Sequence, residues 1–142
     1  MNAKTHEHGD CQHDGALTAT QREVLNLIRQ CKSPVKAYDL LRILSERRGP
    51  VAPPTIYRVL RALTAKGLVH RIECLNAYTA CVEAADCDHG FLICSRCGVT
   101  REIVCAEASQ TLRESSAKAG FSPAQVTLEI RGVCLACITP PH

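Results

Sequence analysis

The chain has 142 residues, 46% of them hydrophobic, which suffices for one ordinary domain or two small ones with a buried core. Its polar start, MNAKTHEHGD, lacks the apolar segment of a secretory signal, and no run approaches the ~20 apolar residues of a membrane span, so we expect a cytoplasmic protein. Because a reducing compartment disfavours disulfides, the ten cysteines favour metal or redox chemistry.

The net charge of +3 is unevenly distributed. Residues 17–72 carry eleven basic and three acidic side chains, a net +8, whereas residues 73–142 carry a net −3. A basic half joined to an acidic half is typical of a polyanion-binding module attached to a second unit. A solvated basic surface without a partner fits the same counts, so charge alone leaves both interpretations open.

Residues 1–16 are polar and are predicted to be a disordered tail. The tail contains four residues of metal-binding type, and the sequence does not decide whether they hold metal: His6, His8, Cys11 and His13. The first helix is predicted in TQREVLNLIRQC, where Thr20 and Glu23 form a capping box. Its apolar residues recur at helical spacing: Val24, Leu27, Ile28 and Cys31.

Two more helices follow in this half of the chain. The second is predicted from Ala37 to Arg47, ending before Gly49-Pro50, and its apolar residues are Leu40, Leu41, Ile43 and Leu44. Pro53-Pro54 opens the third, TIYRVLRALTAKG, which ends at Gly67. Its apolar stripe consists of Ile56, Val59, Leu60 and Leu63.

The segment LVHRIECLNAYTAC predicts two short strands around a turn near Asn76. Three helices followed by a hairpin are typical of a winged helix, with the third helix as the recognition helix. The polar face of that helix carries the candidate DNA-binding residues Thr55, Tyr57, Arg58 and Arg61. Arginine can contact phosphates and read guanine edges. In the alternative interpretation these arginines only make the surface soluble.

A polar, turn-prone stretch separates this module from the rest of the chain. We predict a winged-helix DNA-binding domain at 17–80, a hinge at 81–89 and a small α/β domain at 90–142, which together make an α+β protein. In the second domain FLIC, VTREIVC and QVTLEIRGVC are predicted strands. AEASQTLRESSAKAG is a predicted helix that ends at Gly120.

Two Cys-x-x-Cys pairs lie at the ends of predicted strands, Cys94 with Cys97 and Cys134 with Cys137. Together they supply four thiolates for tetrahedral zinc, and the folded segment between the pairs must return the chain to the same place. A site with four protein ligands has no open position, which indicates a structural role. A thioredoxin-like dithiol, the redox alternative, requires one such pair opening a helix.

A second candidate metal site combines nitrogen, sulfur and oxygen donors from both sides of the hinge: His70, Cys81, His89 and Glu102. A metal bound by all four would join the DNA-binding module to the second domain, and the thiolate favours zinc over a metal that prefers oxygen. Each residue alone has a simpler interpretation, for example His70 as a surface residue or Cys81 as a small buried one.

These segments resemble the ferric uptake regulator family, in its zinc uptake regulator branch, over about residues 17–138. The resemblance rests on AYDLL at 37–41, PPTIYRVLRALTAKGLVHRIE at 53–73, AYTAC at 77–81, and the two pairs in FLICSRCG and GVCLAC. It implies a homodimeric, zinc-dependent repressor that binds an operator in double-stranded DNA and controls zinc-uptake genes.

The resemblance also implies roles for residues. The four paired cysteines match structural zinc ligands, and His70, Cys81, His89 and Glu102 match the regulatory ligands of the zinc branch, so two zinc ions per chain are expected. Tyr57 and Arg58 match residues of the family's recognition helix.

Some features depart from the family pattern or remain without a role. Iron-type members carry a histidine-rich run before the first cysteine pair, whereas this chain has only Asp88-His89, with Cys87 as a competing donor. Cys31, Cys74 and Cys105 have no predicted site. An iron- or peroxide-responsive regulator and a thiol-disulfide sensor or enzyme remain alternatives. The sequence contains no catalytic motif, so we expect neither an enzyme nor a small organic substrate.

Overall fold

The computed structural model describes residues 17–81 and 88–139. The helices and strands follow in the order α1 (Ala19–Gln30), α2 (Ala37–Arg48), α3 (Pro53–Ala65), β1 (Val69–Ile72), β2 (Ala77–Ala80), β3 (His89–Cys94), β4 (Thr100–Val104), α4 (Ala106–Lys118), β5 (Leu128–Gly132) and α5 (Leu135–Ile138). The predicted tail and most of the predicted hinge, including Cys87, lie outside the described residues. Within those residues no helix has the length and apolar character to cross a membrane.

The predicted start of α1 was wrong by two residues. Thr18 caps the helix: its hydroxyl accepts the Gln21 N–H at 3.2 Å, and the Gln21 side chain accepts the Thr18 N–H at 3.1 Å. Leu17 is buried in the core just before the cap, which fixes where the chain enters the helix. The predicted apolar face was also wrong at its end, because Cys31 lies beyond the helix and is exposed.

The other helix predictions are confirmed. All four residues of the α3 stripe are buried, and Pro53 and Pro54 occupy the first turn, where no backbone N–H is needed. In α2 Leu40 and Leu44 are fully buried, whereas Leu41 and Ile43 are partly buried and pack against the core. The three helices therefore share one apolar core and leave the polar face of α3 in solvent.

The predicted hairpin is also confirmed, and it forms the wing. β1 and β2 pair antiparallel, joined by a 3₁₀ turn at Glu73–Leu75 and by Asn76 in the left-handed conformation with φ of 48°. Val35 and Tyr78 exchange two backbone hydrogen bonds of 2.8 Å, which attach the wing to the chain just before α2. The wing is thus fixed to the helical core at its base.

The second domain is built on a three-stranded sheet of order β4-β3-β5. β3 pairs antiparallel with β4 and parallel with β5, and α4 lies in the connection between the two outer strands. Phe91 and Ile93 on β3 are buried, whereas Leu92 between them is partly exposed. The predicted α+β class, a winged helix followed by a small α/β domain, is confirmed.

The buried face of this sheet contacts the wing. Ile72 at the end of β1 forms a small apolar cluster with Phe91 and Ile93, and Leu75 from the 3₁₀ turn packs against it. This wing-sheet contact brings residues of β1 and β2 next to residues of β3 and β4.

Candidate metal centres and nucleic-acid interface

The four paired cysteines converge at one end of the sheet. Cys94 ends β3, Cys97 lies in the following turn, Cys134 directly precedes α5 and Cys137 lies within it, and the four sulfur atoms are all within 4.8 Å of one another. The Cys97 and Cys134 sulfurs are 3.7 Å apart. Two thiolates bound tetrahedrally to zinc at ~2.3 Å would be about 3.8 Å apart, so the separation fits zinc.

Backbone contacts hold the two pairs together. The parallel pairing of β3 and β5 brings Cys94 beside Gly132, whose carbonyl accepts both the backbone N–H (2.8 Å) and the hydroxyl (3.0 Å) of Ser95. The Arg96 guanidinium donates to the Cys137 carbonyl at 2.7 Å. The backbone pairing of β3 with β5 and the Arg96 contact therefore bring the two cysteine pairs to the same place.

The chemistry of this cluster also fits a cation. The backbone N–H groups of Cys134 and Cys97 point at the Cys94 sulfur and lower the pKa of its thiol to about 6. Hydrogen bonds with the Cys134 and Cys97 thiols raise the pKa of Cys137 to about 12. Because like charges at this distance oppose one another, all four sulfurs can ionise together only around a positive ion.

The second set of predicted ligands also converges. His70 on β1, Cys81 just after β2, His89 at the start of β3 and Glu102 on β4 place their donor atoms within 4.8 Å of one another. The Glu102 Oε1 atom lies 2.7 Å from His89 Nδ1, 3.7 Å from His70 Nε2 and 4.0 Å from the Cys81 sulfur. The site thus joins residues of the wing to residues of the second domain.

Strand register explains why these side chains meet. Phe91 pairs with Glu102, so His89, two residues from Phe91, projects from the same face of the sheet. That face packs on the wing, where the His70 ring lies 5.1 Å from the His89 ring and 5.6 Å from the Phe91 ring, measured between centroids. The wing-sheet contact therefore assembles the cluster.

The buried ring nitrogens of this cluster have an arrangement that suits a metal. Among the described residues, His70 Nε2 and both ring nitrogens of His89 have no hydrogen-bond partner. Glu102 Oε1 lies 2.7 Å from His89 Nδ1, but the two groups are not oriented for a hydrogen bond. Buried polar atoms without partners are rare in folded proteins. Burial lowers the pKa of His70 despite the opposing effect of Glu102, which favours the neutral imidazole that coordinates metals. Nitrogen, sulfur and carboxylate donors of this kind fit zinc.

The predicted DNA-binding residues lie on the solvent side of α3. Tyr57 is 55% exposed, Arg58 and Arg61 are exposed, and Thr55 is half-buried. Tyr38, for which no role is predicted from the sequence, has a 72% exposed side chain in the first turn of α2. A lone tyrosine in a helical pattern gives no signal of its exposure, because only packing decides which helix face remains in solvent.

The structure relates two of the remaining cysteines to neighbouring groups. The Cys105 thiol contacts the Asp88 carbonyl at 3.5 Å and lies 3.7 Å from the buried Ser109 hydroxyl. Arg113 on α4 pairs with the Asp88 carboxylate at 3.2 Å, so α4 holds the residue that precedes His89.

The other two cysteines lie in the DNA-binding half of the chain. Cys74 lies at the wing tip, where its backbone N–H donates a hydrogen bond to Glu129. Cys31 is exposed and belongs to neither cysteine-containing cluster.

Comparison with known proteins agrees with this architecture. The family model described as "Ferric uptake regulator family" matches residues 3–131. The zinc uptake regulation protein of Escherichia coli (strain K12) is 36% identical over 130 residues, which cover 89% of this chain and 75% of that protein.

Two solved structures are similar over most of their length. One, described as "Crystal structure of holo XcZur", is 38% identical, covers 86% of each chain and superposes with a TM-score of 0.78. The other, "Zinc Uptake Regulator Complexed With Zinc AND DNA", is 34% identical, covers 89% of this chain and 86% of that one, and superposes with a TM-score of 0.81. From the family match and the identity to these relatives, the chain belongs to the ferric uptake regulator family.

Proposed function

We propose that the chain is a zinc-responsive, DNA-binding transcriptional repressor of zinc-uptake genes. The observation that carries the proposal is the convergence of His70, Cys81, His89 and Glu102 between the wing and the second domain. A zinc ion there would join the two domains through four side chains. Among related proteins, one solved zinc uptake regulator is described as complexed with zinc and DNA. Family membership also confirms the expectation that the chain is not an enzyme.

The proposed switch depends on the relative arrangement of the two domains. His70 and Cys81 belong to the wing side and His89 and Glu102 to the sheet side, so the four donors meet only when the wing rests on the sheet. A ligand shifts an equilibrium between arrangements only through a difference in affinity for them. Zinc binding therefore favours the arrangement with a fixed angle between recognition helix and second domain.

We assign Cys94, Cys97, Cys134 and Cys137 to a structural zinc site, so that each chain holds two zinc ions. The solved relative that is described as complexed with zinc and the two clusters support zinc as the metal. The structural site would staple a second domain whose sheet has only three strands. In this scheme residues 17–80 form the DNA-binding domain, 81–89 the hinge and 90–142 the dimerisation domain.

The proposed reading surface is the exposed face of α3 with Thr55, Tyr57, Arg58 and Arg61. Arg58 and Arg61 are three residues apart and so lie on one side of the helix. Tyr38 on α2 adds a second exposed aromatic group to the DNA-binding domain. The net +8 of residues 17–72 supports a polyanionic partner.

We further propose that the chain acts as a homodimer on operator DNA in the cytoplasm. The face of the sheet opposite the wing exposes Leu92 and Ile130, and the exposed Val99 and Leu135 line the same cavity beside it. An exposed apolar patch of this kind is typical of an interface between subunits. A dimer would present two recognition helices to successive major grooves of a near-palindromic operator.

An iron- or peroxide-responsive regulator is less well supported. The Cys81 thiolate is a soft donor that suits zinc better than metals that prefer oxygen. A dithiol sensor is also less well supported, because the Cys94 pair lies among four converging sulfurs rather than at the start of a long helix.

The first experiment is retention of the protein on fragments of its own genome, in buffered zinc and in a strong chelator, at one salt concentration. We expect capture of a few specific fragments with zinc only. Equal binding in both conditions would contradict a zinc switch and would turn attention to iron and then to thiol oxidation.

The second experiment tests the switch through Cys81→Ser, with Cys31→Ser as the matched control outside both clusters. We expect Cys81→Ser to keep its fold and to weaken zinc binding at the regulatory site by more than about 100-fold, since even partners of ligands contribute 10–100-fold. Zinc-dependent DNA binding should be lost with it, and Cys31→Ser should behave as wild type. A wild-type response from Cys81→Ser would remove this thiol from the switch.

A further inference from the structure

The wing and the second domain meet at a second polar contact that lies outside both cysteine-containing clusters. Glu129 on β5 accepts the backbone N–H of Glu73 at 2.5 Å with one carboxylate oxygen and the N–H of Cys74 at 3.0 Å with the other. Glu73 and Cys74 begin the 3₁₀ turn at the wing tip. One side chain of the second domain therefore holds two backbone groups of the DNA-binding domain.

This contact lies beside the apolar part of the same joint. Ile72 immediately precedes Glu73, is fully buried and packs with Phe91 and Ile93, while Leu75 packs against them from the turn. Apolar packing is not directional, whereas two hydrogen bonds to one carboxylate define both position and orientation. Glu129 thus specifies how the wing tip sits on the sheet.

The electrostatics of Glu129 match this role. Burial acts to raise the pKa of its carboxyl, but hydrogen bonds from Cys74 and Glu73 outweigh burial and lower it. Burial and the neighbouring Glu129 raise the pKa of the Cys74 thiol, which therefore remains a neutral donor. At neutral pH the carboxylate is ionised, and hydrogen bonds to an ionised acceptor are stronger than neutral ones.

We propose that Glu129 is a positioning residue of the zinc switch: it latches the wing tip to β5 in the arrangement where the four regulatory ligands meet, and it thereby sets the zinc concentration at which the chain responds. This inference rests on the proposed function. His70 on β1 and Glu129 on β5 act on the same joint, and the latch needs no metal. When only a fraction of the molecules has the binding-competent arrangement, apparent ligand affinity falls by that fraction.

The test uses the Glu129→Gln variant of the full chain. This substitution keeps the size of the side chain but removes its charge. It also replaces one of the two accepting oxygens with an NH₂ group, which faces a backbone donor. The matched control is Glu114→Gln on α4, whose carboxylate accepts from Gln110 of the same helix at 3.1 Å. Three quantities are measured. The first is the zinc affinity of the regulatory site, by competition with a chelator too weak to remove zinc from the four paired cysteines. The others are DNA affinity at saturating zinc and the hydrogen-exchange rates of the Glu73 and Cys74 amides.

We expect Glu129→Gln to weaken zinc binding by about tenfold, equivalent to about 1.4 kcal/mol, and to accelerate exchange of both amides. DNA affinity at saturating zinc should stay at the wild-type value, because excess zinc restores the arrangement; a general loss of structure would lower it. Glu114→Gln should match wild type in all three. If Glu129→Gln folds poorly, Glu129→Asp keeps the charge with a shorter reach, and we expect the same changes in smaller measure.

Unchanged zinc affinity in a variant that has lost amide protection would overturn the set-point role. Wild-type amide protection in both Glu129 variants would overturn the latch itself. Failure of the proposed function looks different: wild-type protein would then bind DNA equally with and without zinc, whatever residue stands at 129.

Discussion

Glu102 is the side chain that lies closest to all three of the other proposed regulatory donors. Its Oε1 atom approaches His70, Cys81 and His89, and the side chain is only 10% exposed. A buried carboxylate among two imidazoles and a thiol is costly unless it is paired or coordinates a metal. We therefore expect the donor types to set the chemical selectivity of the proposed site: the Cys81 thiolate favours a soft metal, and the two imidazoles add nitrogen ligands that zinc accepts.

Substitution of the single residue Arg58 tests whether the exposed face of α3 binds DNA. Arg58→Ala should weaken operator binding by about 1–3 kcal/mol, because an arginine that reads a base edge contributes that much discrimination. Arg58 is exposed on α3, and α3 carries none of the eight candidate ligands, so zinc content should not change. The measurement is DNA affinity by anisotropy together with metal analysis.

The control for this substitution is Lys118→Ala, which removes a positive charge from the last turn of α4 in the second domain. Lys118→Ala should bind as wild type. Equal affinity of Arg58→Ala and wild type would assign DNA reading to another residue, with Tyr38 and Arg61 next in line.

At the scale of elements, the start of α1 illustrates how local patterns compete. Thr18 with Gln21 and Thr20 with Glu23 both satisfy the capping pattern. The structure uses the first pair, because Leu17 is buried directly before it, and Glu23 instead pairs with Arg48 of α2 at 2.9 Å. A contact with another helix thus removes Glu23 from the role that its spacing predicted.

The helix cap can be tested with two similar substitutions. Thr18→Ala should lower the free energy of unfolding by about 1 kcal/mol, because it leaves the Gln21 N–H without its side-chain acceptor. Thr20→Ala lies in the first turn of α1 and should change stability by less than about 0.5 kcal/mol. Urea denaturation of zinc-loaded protein measures both values. A larger loss of stability in Thr20→Ala than in Thr18→Ala would show that Thr20 is the capping residue instead.

At the scale of the whole molecule, the two domains meet through contacts of different kinds. Ile72 and Phe91 bury apolar surface, Glu129 adds two directional hydrogen bonds, and the four regulatory donors offer a site for a metal. In the proposed function, the last of these three contacts is the one that depends on a metal. The metal-independent contacts hold the donors near one another and so reduce the ordering cost when a metal binds.

Loss of one paired cysteine should affect the whole second domain. Cys94→Ser is expected to abolish zinc at the structural site and to unfold or loosen the sheet, because structural zinc contributes on the order of 10 kcal/mol to folding in small domains. Circular dichroism, zinc content and oligomeric state measure the effect. Cys105→Ser is the control, since Cys105 lies outside the cluster. A well-folded Cys94→Ser variant with full zinc content would contradict the structural assignment.

Much of this fold follows from local sequence signals. Helical spacing predicted the buried stripe of α3, Pro53-Pro54 predicted its start, and strand-like runs predicted the wing and the three strands of the second domain. The eight candidate ligands were identified from donor chemistry, from the Cys-x-x-Cys spacing and from the resemblance to the family. Each of these features depends on residue type or on the spacing of residues close together in sequence, so it can be predicted without knowledge of the folded structure.

Other features were decided only by tertiary structure. Glu129 is one of several acids in the second half, and nothing near it in sequence indicates that it bonds Cys74, 55 residues away. The exposure of Tyr38 and the choice of Thr18 over Thr20 likewise depend on which faces pack together. Periodicity and donor type are local properties, so they predict most of the helices and strands and the side chains that can bind metal, although not the short helix α5. Packing between the wing and the sheet decided where those side chains meet and what else holds them there, because contacts between distant residues arise only when the whole chain is folded.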